Sequence, residues 1–288
     1  MSEFARRVAL VSGCSTGIGR EVARLLAAGG WTVVAGARDP STLADLAAAH
    51  PESLHPVAWD LTDPDATREA VGSTIARHGA IDLLVNNAGY GQMGPLVEVS
   101  REEWRRQLET NVIGLADAAA IAARLPGGMI DRRRGRIVNI GSVVGLQTIP
   151  FGGAYCASKH AVEAISDALR MELAPFGIEV VLVEPGPVIS RFGDTARASV
   201  ASMLSRKGGP YEHLREVIVR RTQASQDRGM ATAACGARIV RAATRPGPPT
   251  RLLITWQARA FILASMLLPR RALDAILKRG YGLHRRAP

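Results

Sequence analysis

The chain has 288 residues, of which 47% are hydrophobic and 5% aromatic, so it can bury a large core and does not have the composition of a disordered protein. Its formal charge of +10 is concentrated in Arg241–Pro288, which carries ten basic residues and one acid. No apolar run reaches the roughly 18 residues of a membrane-spanning helix, and Cys14, Cys156 and Cys235 form no metal-binding pattern. We expect a reduced, cytoplasmic protein that binds no metal.

Strand and helix patterns alternate along the first two thirds of the chain. Apolar runs predict strands at 7–12, 31–37, 54–59, 81–85, 136–140 and 178–183. Helical spacing, with glycine or proline at expected ends, predicts helices at 17–28, 41–49, 64–78, 100–125 and 153–174. Strands that are apolar on both faces and alternate with helices indicate an α/β fold, with a doubly wound parallel sheet of the Rossmann type.

Beyond residue 184 the regular alternation ends. A loop with short helices is predicted for 185–207, followed by helices at 210–228 and 230–243, a last strand at 250–256, and helices at 257–268 and 270–279. We expect one domain at residues 1–256 and a basic helical C-terminal extension at residues 257–288.

A glycine-rich loop follows the first predicted strand and opens the first predicted helix. Glycines permit a tight turn and a close backbone approach, and the helix start offers free N–H groups and a positive dipole end to a phosphate. This context favours a dinucleotide pyrophosphate site over an ordinary strand-to-helix turn. The residues assigned to the site are Gly13, Ser15, Thr16, Gly17, Ile18 and Gly19.

The residue that ends the second predicted strand bears on the choice of cofactor. An acid there would bind the ribose 2′-hydroxyl of NAD(H) and repel a 2′-phosphate. This chain has Arg38 instead, which can pair with the 2′-phosphate, and Arg20 could assist it. Asp39 opposes this choice. We therefore expect NADP(H), with NAD(H) as the less favoured alternative.

Two further strand ends are expected at the same edge of the sheet. Asp60, followed by Leu61, ends the third strand, where its carboxylate can accept from an adenine amino group or cap the next turn. The fourth strand runs into Asn87, Ala88 and Gly89, whose amide and small side chains suit a crevice where a ligand meets the backbone. All five residues are assigned to the cofactor.

Tyr155 and Lys159 stand four residues apart on one predicted helix and share one face of it. A lysine cation beside a phenol favours the phenolate and lowers its pKa from about 10. The pair is therefore a candidate for proton transfer near neutral pH. This spacing alone occurs often by chance.

The order of these motifs closely resembles that of the classical short-chain dehydrogenase/reductase family. The motifs are the glycine loop, Asn-Asn-Ala-Gly, Asn111, Ser142, the Tyr155/Lys159 pair and a Pro-Gly turn at Pro185. The resemblance runs from about Val8 to Ser190 and returns weakly near Leu252. The stretch 151–188 is similar to the branch that contains 17β-hydroxysteroid and retinol dehydrogenases and many bacterial ketoreductases.

The resemblance implies a role for each member of the catalytic set. Tyr155 would protonate the carbonyl oxygen while a hydride arrives from the nicotinamide. Lys159 would bind the nicotinamide ribose and tune Tyr155. Ser142 would hydrogen-bond the substrate oxygen, and Asn111 would hold a water that links Lys159 to solvent.

The resemblance also implies cofactor contacts after the sixth strand. Pro185, Gly186 and Val188 would pass beside the nicotinamide carboxamide and fix which face of the ring is exposed. Ser190 stands where the family usually has threonine and keeps the hydroxyl, so it is assigned to the cofactor as well.

The substrate site is expected to be apolar. Residues that could line it are Met93, Leu146, Phe151, Phe192 and Met203. They favour a small lipophilic ketone or alcohol. The main alternatives are a catalytically silent NADP(H)-binding sensor or scaffold, and an NADP(H)-dependent enzyme that performs a net isomerisation or cyclisation.

The extension 257–288 combines a largely apolar helix with an amphipathic, basic one. It is expected to pack on the substrate pocket or across the interface of a homo-oligomer. Peripheral membrane contact is the second hypothesis, because cationic amphipathic helices bind anionic lipid surfaces. An anionic partner is the third, and nucleic acid is not expected.

Overall fold

In a computed structural model of the chain, the described residues are 7–201 and 209–283. Within these ranges the strands are β1 Val8–Val11, β2 Thr32–Ala37, β3 Leu54–Ala58, β4 Leu83–Asn86, β5 Gly135–Ile140, β6 Ile178–Glu184 and β7 Arg251–Leu253. All pair in parallel, in the order β3-β2-β1-β4-β5-β6-β7.

Helices connect the strands and cover both faces of the sheet. The α-helices of the described ranges are α1 Gly17–Ala28, α2 Ala44–Ala49, α3 Pro64–His78, α4 Arg101–Leu108, α5 Gly114–Arg124, α6 Met129–Arg132, α7 Gly153–Leu173, α8 Phe192–Ser199, α9 Arg215–Arg228, α10 Thr232–Thr244, α11 Trp256–Leu267 and α12 Arg270–Gly280. Among them, none has the length and apolarity to cross a membrane. The doubly wound parallel sheet of the Rossmann type is confirmed.

The core lies in two layers, one on each face of the sheet, because successive side chains of a strand point to opposite faces. On β1, Ala9 and Val11 belong to the layer that includes residues of α1 and α10. Leu10 belongs to the layer that includes residues of α3 and α5. All four residues of β1 are buried, as a parallel sheet covered on both sides requires.

The position of the crevice follows from the strand order. The chain runs outward from β1 through β2 to β3, then returns to β4 and continues outward in the other direction. The connections that leave β1 and β4 therefore diverge, and a crevice opens at the carboxyl ends of these two strands. Ligands of doubly wound sheets bind at this switch point.

The long helix predicted for 100–125 is interrupted. Ser100 and Glu103 form the expected capping box at its start, but Glu109–Ile113 adopts a π-helical turn between α4 and α5. A Cβ atom on Gly114 would lie 2.4 Å from the backbone oxygen of Leu61, so α5 approaches the chain after β3 too closely for any side chain. Helical periodicity does not register such a local change of winding.

The last strand is shorter than the predicted 250–256. Pairing with β6 ends at Leu253, and the Thr255 hydroxyl accepts from the Ala258 N–H and caps α11. Trp256 therefore begins a helix rather than ending a strand. The division of the chain at residue 256 stays a prediction.

Candidate active site

A cavity of about 1030 Å³ occupies the crevice at the carboxyl ends of the strands. Every residue assigned to the catalytic set or the cofactor lines it, except Gly19 and Asn111. Because these residues come from six strand ends and from α7, the fold brings together groups that are far apart in the sequence.

The glycine loop has the conformation that its sequence predicts. Gly13 has φ +69° and Gly17 has φ +64°, in the left-handed region that favours glycine. A Cβ atom on Gly13 would lie 2.7 Å from the Ala88 Cα atom. On Gly19 it would lie 2.3 Å from the Asn87 amide nitrogen, so Gly19 serves the packing of the loop on the end of β4.

Hydrogen bonds from Ser12 and Asn87 join the ends of β1 and β4. The Ser12 hydroxyl accepts from the N–H of Asn87 at 3.0 Å and of Ala88 at 3.1 Å. The Asn87 amide donates to the carbonyl oxygens of Ser12 and Gly13, both at 3.0 Å. Ser12 was not among the predicted site residues, although a buried hydroxyl just before the glycine loop was the available signal.

The groups at the end of β2 separate into two environments. Arg38 is exposed and lines the cavity. The Asp39 carboxylate accepts from the Ser41 N–H at 3.0 Å, and the hydrogen bonds from Ser41 lower its pKa. Arg20 donates to Asp45 at 2.6 Å and does not line the cavity, so the assistance expected from it is not seen.

Asp60 caps the turn after β3, which is one of the two roles that the sequence allowed for it. One carboxylate oxygen accepts from the backbone N–H of Thr62 at 2.9 Å and from its hydroxyl at 2.8 Å. The residue nevertheless lines the cavity beside Leu61.

Tyr155 and Lys159 lie on the face of α7 that borders the cavity. Lys159 is 5% exposed, and its Nζ atom donates to the Ile140 carbonyl oxygen at 2.7 Å and lies 5.9 Å from the centre of the Tyr155 ring. The Tyr155 hydroxyl is hydrogen-bonded to Ser142, which begins the turn after β5. The lysine retains two N–H donors beyond the Ile140 contact.

Burial decides the protonation of both groups. It raises the pKa of Tyr155 to about 12, despite the hydrogen bond from Ser142, and lowers the pKa of Lys159 to about 8. The expected net lowering of the Tyr155 pKa is therefore not seen, because burial outweighs the contacts that favour the phenolate. The phenol carries its proton at neutral pH, as a proton donor requires.

Asn111 lies in the π-helical turn and is buried. Its amide accepts from the Tyr90 N–H at 3.1 Å and donates to the Tyr90 carbonyl and the Ser158 hydroxyl, both at 3.0 Å. Ser158 in turn donates to the Tyr155 carbonyl oxygen at 2.7 Å. The side chain therefore fastens α7 to the segment after β4.

The segment after β6 is held against the start of α10. Met230 donates to the Pro187 carbonyl oxygen, and Ile189 donates to the Met230 carbonyl oxygen, each at 2.9 Å. A Cβ atom on Gly17 would lie 3.4 Å from the Ser190 Cβ atom, which places Ser190 beside the glycine loop.

The substrate side of the cavity is only partly the predicted one. Met93 and Phe192 line it, and the Phe192 ring centre lies 5.3 Å from that of Tyr155. Leu146 and Phe151 do not line it, and Met203 lies outside the described residues. Arg221 on α9 lines the cavity and was not predicted.

Two buried carboxyl groups lie behind the Ser142 turn, and Arg251 of β7 contacts both. Arg251 lies 2.7 Å from Glu184 and also pairs with Glu163. One further oxygen of each acid is buried without another partner. A proton kept by Glu184 and shared with Glu163 satisfies both oxygens, and burial together with the charge of Glu163 raises the pKa of Glu184 to about 8.

Comparison with known proteins gives a consistent result. The family model described as short chain dehydrogenase matches residues 7–201. The chain is 35% identical to the uncharacterized oxidoreductase YbbO of Escherichia coli, over 93% of each chain. It is 32% identical to an NADPH-dependent 3-dehydrocapnine reductase of Ornithobacterium rhinotracheale, over 94% of this chain and 95% of that one.

A solved structure agrees over the whole chain. It is a short chain dehydrogenase/reductase from Burkholderia phymatum in complex with NAD, with a TM-score of 0.78 and 25% identity. The match covers 100% of this chain and 98% of that one.

The Glu184→Gln variant tests the buried carboxyl pair. With a pKa of about 8 in the folded chain and an ordinary value of 4.5, Glu184 keeps a proton between these pH values that the unfolded chain has lost. Its contribution to stability therefore falls as pH rises through this window, and the amide has no such dependence. The melting temperature of the variant relative to the native protein should rise from pH 5 to pH 8.

The matched control is Glu216→Gln on the exposed side of α9. Its difference from the native protein should not vary with pH. A Glu184→Gln difference that is equally flat would contradict the raised pKa.

Proposed function

We propose that this chain, which belongs to the short-chain dehydrogenase family, is an NADP(H)-dependent oxidoreductase that acts on a lipophilic ketone or secondary alcohol. Membership of the family makes it an oxidoreductase with a nicotinamide cofactor. The observation that carries the proposal is the meeting of Ser142, Tyr155 and Lys159 in one cavity with the glycine loop.

The residues of the crevice fit a dinucleotide. Gly13 and Gly17 line the cavity and carry no side chain that would hold a pyrophosphate away from the backbone of the loop. Thr16 precedes α1 without a side-chain cap, which leaves N–H groups of the first turn to bind phosphate oxygens. Lys159 and Ser190 would hold the nicotinamide end, and the Pro185–Val188 segment would contact the carboxamide.

Each catalytic side chain has a task that its environment supports. Bound NADP(H) supplies or accepts the hydride. In reduction, Tyr155 gives the proton of its hydroxyl to the carbonyl oxygen, which it can do because the phenol is protonated at neutral pH. Ser142 donates to the same oxygen and stabilises the charge that develops there.

Lys159 and Asn111 act around Tyr155. The Lys159 cation favours the phenolate that forms as the proton leaves, and its remaining donors bind the ribose hydroxyls. Asn111 is a positioning residue here, since its side chain binds Tyr90 and Ser158 rather than lining the cavity. Its role in holding a water stays a prediction.

The preference for NADP(H) rests on the end of β2. Arg38 borders the cavity at the place where a 2′-phosphate would lie, and no ion pair of the described residues includes it. The Asp39 carboxylate, which would oppose that phosphate, is engaged with Ser41. The similar Burkholderia protein was solved with NAD, so the proposed preference of this chain for NADP(H) depends on the local contacts of Arg38 and Asp39.

A silent sensor is the weaker hypothesis, because a sensor needs no acid or base beside the nucleotide. Net isomerisation or cyclisation would use the same residues and stays an alternative. No structural observation favours it over simple hydride transfer.

We further propose that the outer face of α11 and α12 contacts an anionic membrane surface. Trp256, Met266 and Leu267 are 73%, 78% and 73% exposed. Exposed arginines flank them on both helices, at Arg270 and Arg271 among others. Such a face suits the boundary between lipid headgroups and chains.

A second copy of the chain fits this face less well. A two-fold contact would bring the basic faces of two copies together, and their cations would repel one another. The inner face is already used, since Phe261 of α11 packs against the cluster of Val144, Ile149 and Cys156. Homo-oligomer formation through other surfaces stays a prediction.

Tyr155→Phe tests the proton donor. Turnover of ketones with NADPH should fall by about a hundred- to ten-thousandfold, because the ring remains but the proton is lost. NADPH affinity, measured by fluorescence, should be nearly unchanged. Tyr211→Phe, which removes a hydroxyl from the neighbouring apolar cluster, is the control, and equal activity of the two variants would refute the role.

Arg38→Asp tests the 2′-phosphate contact. The ratio of kcat/KM for NADH to that for NADPH should rise at least about tenfold, because a charged hydrogen bond is replaced by repulsion. Arg77→Asp on the exposed side of α3 should leave the ratio as it is. An unchanged ratio in Arg38→Asp would count against the contact.

Flotation with vesicles tests the tail surface. The protein should bind phosphatidylcholine vesicles that contain phosphatidylglycerol. Paired substitutions Met266→Glu with Leu267→Glu, or Arg270→Glu with Arg271→Glu, should each weaken binding at least about tenfold.

Arg68→Glu with Arg77→Glu on α3 is the matched charge control and should still bind. The membrane proposal would be contradicted if the native protein did not bind the vesicles but formed dimers that Leu267→Glu dissociates. The face would then be a subunit interface.

A further inference from the structure

One face of α9 borders the substrate side of the cavity. Val217 and Ile218 pack in the apolar cluster that contains Met93 and Phe151. Arg221 lies one turn later on the same face and lines the cavity. The Arg221 cation therefore borders the cavity next to apolar side chains of the same helix face.

Arg221 is partly buried and lacks an acidic partner. None of the ion pairs among the described residues includes it, and its Nε atom is buried without a hydrogen bond. The Arg221 guanidinium donates a hydrogen bond to the hydroxyl of Tyr281, which follows α12. By contrast, Arg191, which also lines the cavity, pairs with Asp194 at 3.8 Å.

Burying the Arg221 cation beside apolar side chains costs free energy unless an anion accompanies it. Burial removes water from the guanidinium, and the apolar side chains around it return no hydrogen bonds. The same surroundings strengthen its attraction for an anion that enters the cavity. Arg221 and Tyr155 both line this cavity.

We propose that Arg221 binds an anionic group of the substrate, a carboxylate, sulfonate or phosphate. The substrates are then amphiphilic ketones or alcohols: their apolar part lies against Met93 and Phe192, their reacting carbon lies at Tyr155, and their charge lies at Arg221. The inference rests on the proposed oxidoreductase function and names the substrate class for the same site.

Paired substrates test the proposal. Medium-chain oxo-fatty acids are assayed with NADPH beside their methyl esters, which lack the negative charge and carry one additional methyl group. Arg221→Met is expected to lower kcat/KM about ten- to hundredfold for the acids, as loss of a charged hydrogen bond predicts, and to affect the esters by less than about threefold. Arg221→Lys keeps the charge and should retain most of the activity on the acids.

Arg220→Met is the matched control, because Arg220 is the adjacent residue on the exposed side of α9. It should change neither set. NADPH affinity reports whether each variant is folded. Equal losses for acids and esters in Arg221→Met would overturn the proposal.

A binding measurement separates this inference from the proposed function. Calorimetry with decanoate and decanol needs no turnover. Decanoate should bind the native protein and bind Arg221→Met about ten- to hundredfold more weakly, with decanol unaffected. This result supports the anion site even if every ketone fails as a substrate, whereas unchanged decanoate binding overturns it.

Discussion

The hydrogen bonds between the ends of β1 and β4 are the constraint on which the site depends. These two strands are neighbours in the sheet, yet the chain that follows each turns to a different side. Ser12 and Asn87 hold the two departing segments together, so the glycine loop lies against Ala88. These hydrogen bonds fix the distance between the segments after β1 and β4. They therefore fix the position of the glycine loop relative to the end of the cavity that contains Tyr155.

Burial, rather than the four-residue spacing of Tyr155 and Lys159, determines the pKa values of these two side chains. The four-residue spacing of Tyr155 and Lys159 placed both on the correct face of α7, but the lysine satisfies the Ile140 carbonyl. Desolvation then raises one pKa and lowers the other. A phenol that holds its proton and an ammonium whose pKa lies near neutrality are compatible with the proposed proton transfer.

Most of the fold could be predicted from the sequence because its strands are short, apolar and punctuated by glycine or proline. The glycine loop and the catalytic set were also accessible, since each motif stands at the end of its element. The π-helical turn at Asn111 was not, because it accompanies the close contact of Gly114 with the chain after β3. The early end of β7 was missed because Thr255 was read as part of a strand, although its side chain caps α11. Arg221 was missed because an arginine on a charged helix resembles a solvated one until the cavity is known.

The pairing of Arg251 with Glu163 and Glu184 has a consequence for biosynthesis. Glu163 on α7 and Glu184 on β6 are synthesised before β7, which carries the arginine that contacts both. Until that strand joins β6, Glu163 and Glu184 would lack the cation that both contact, which would disfavour their burial. The turn after β5, whose Gly141 and Gly145 lie beside Glu163, would then acquire its final form only after β7 has joined the sheet.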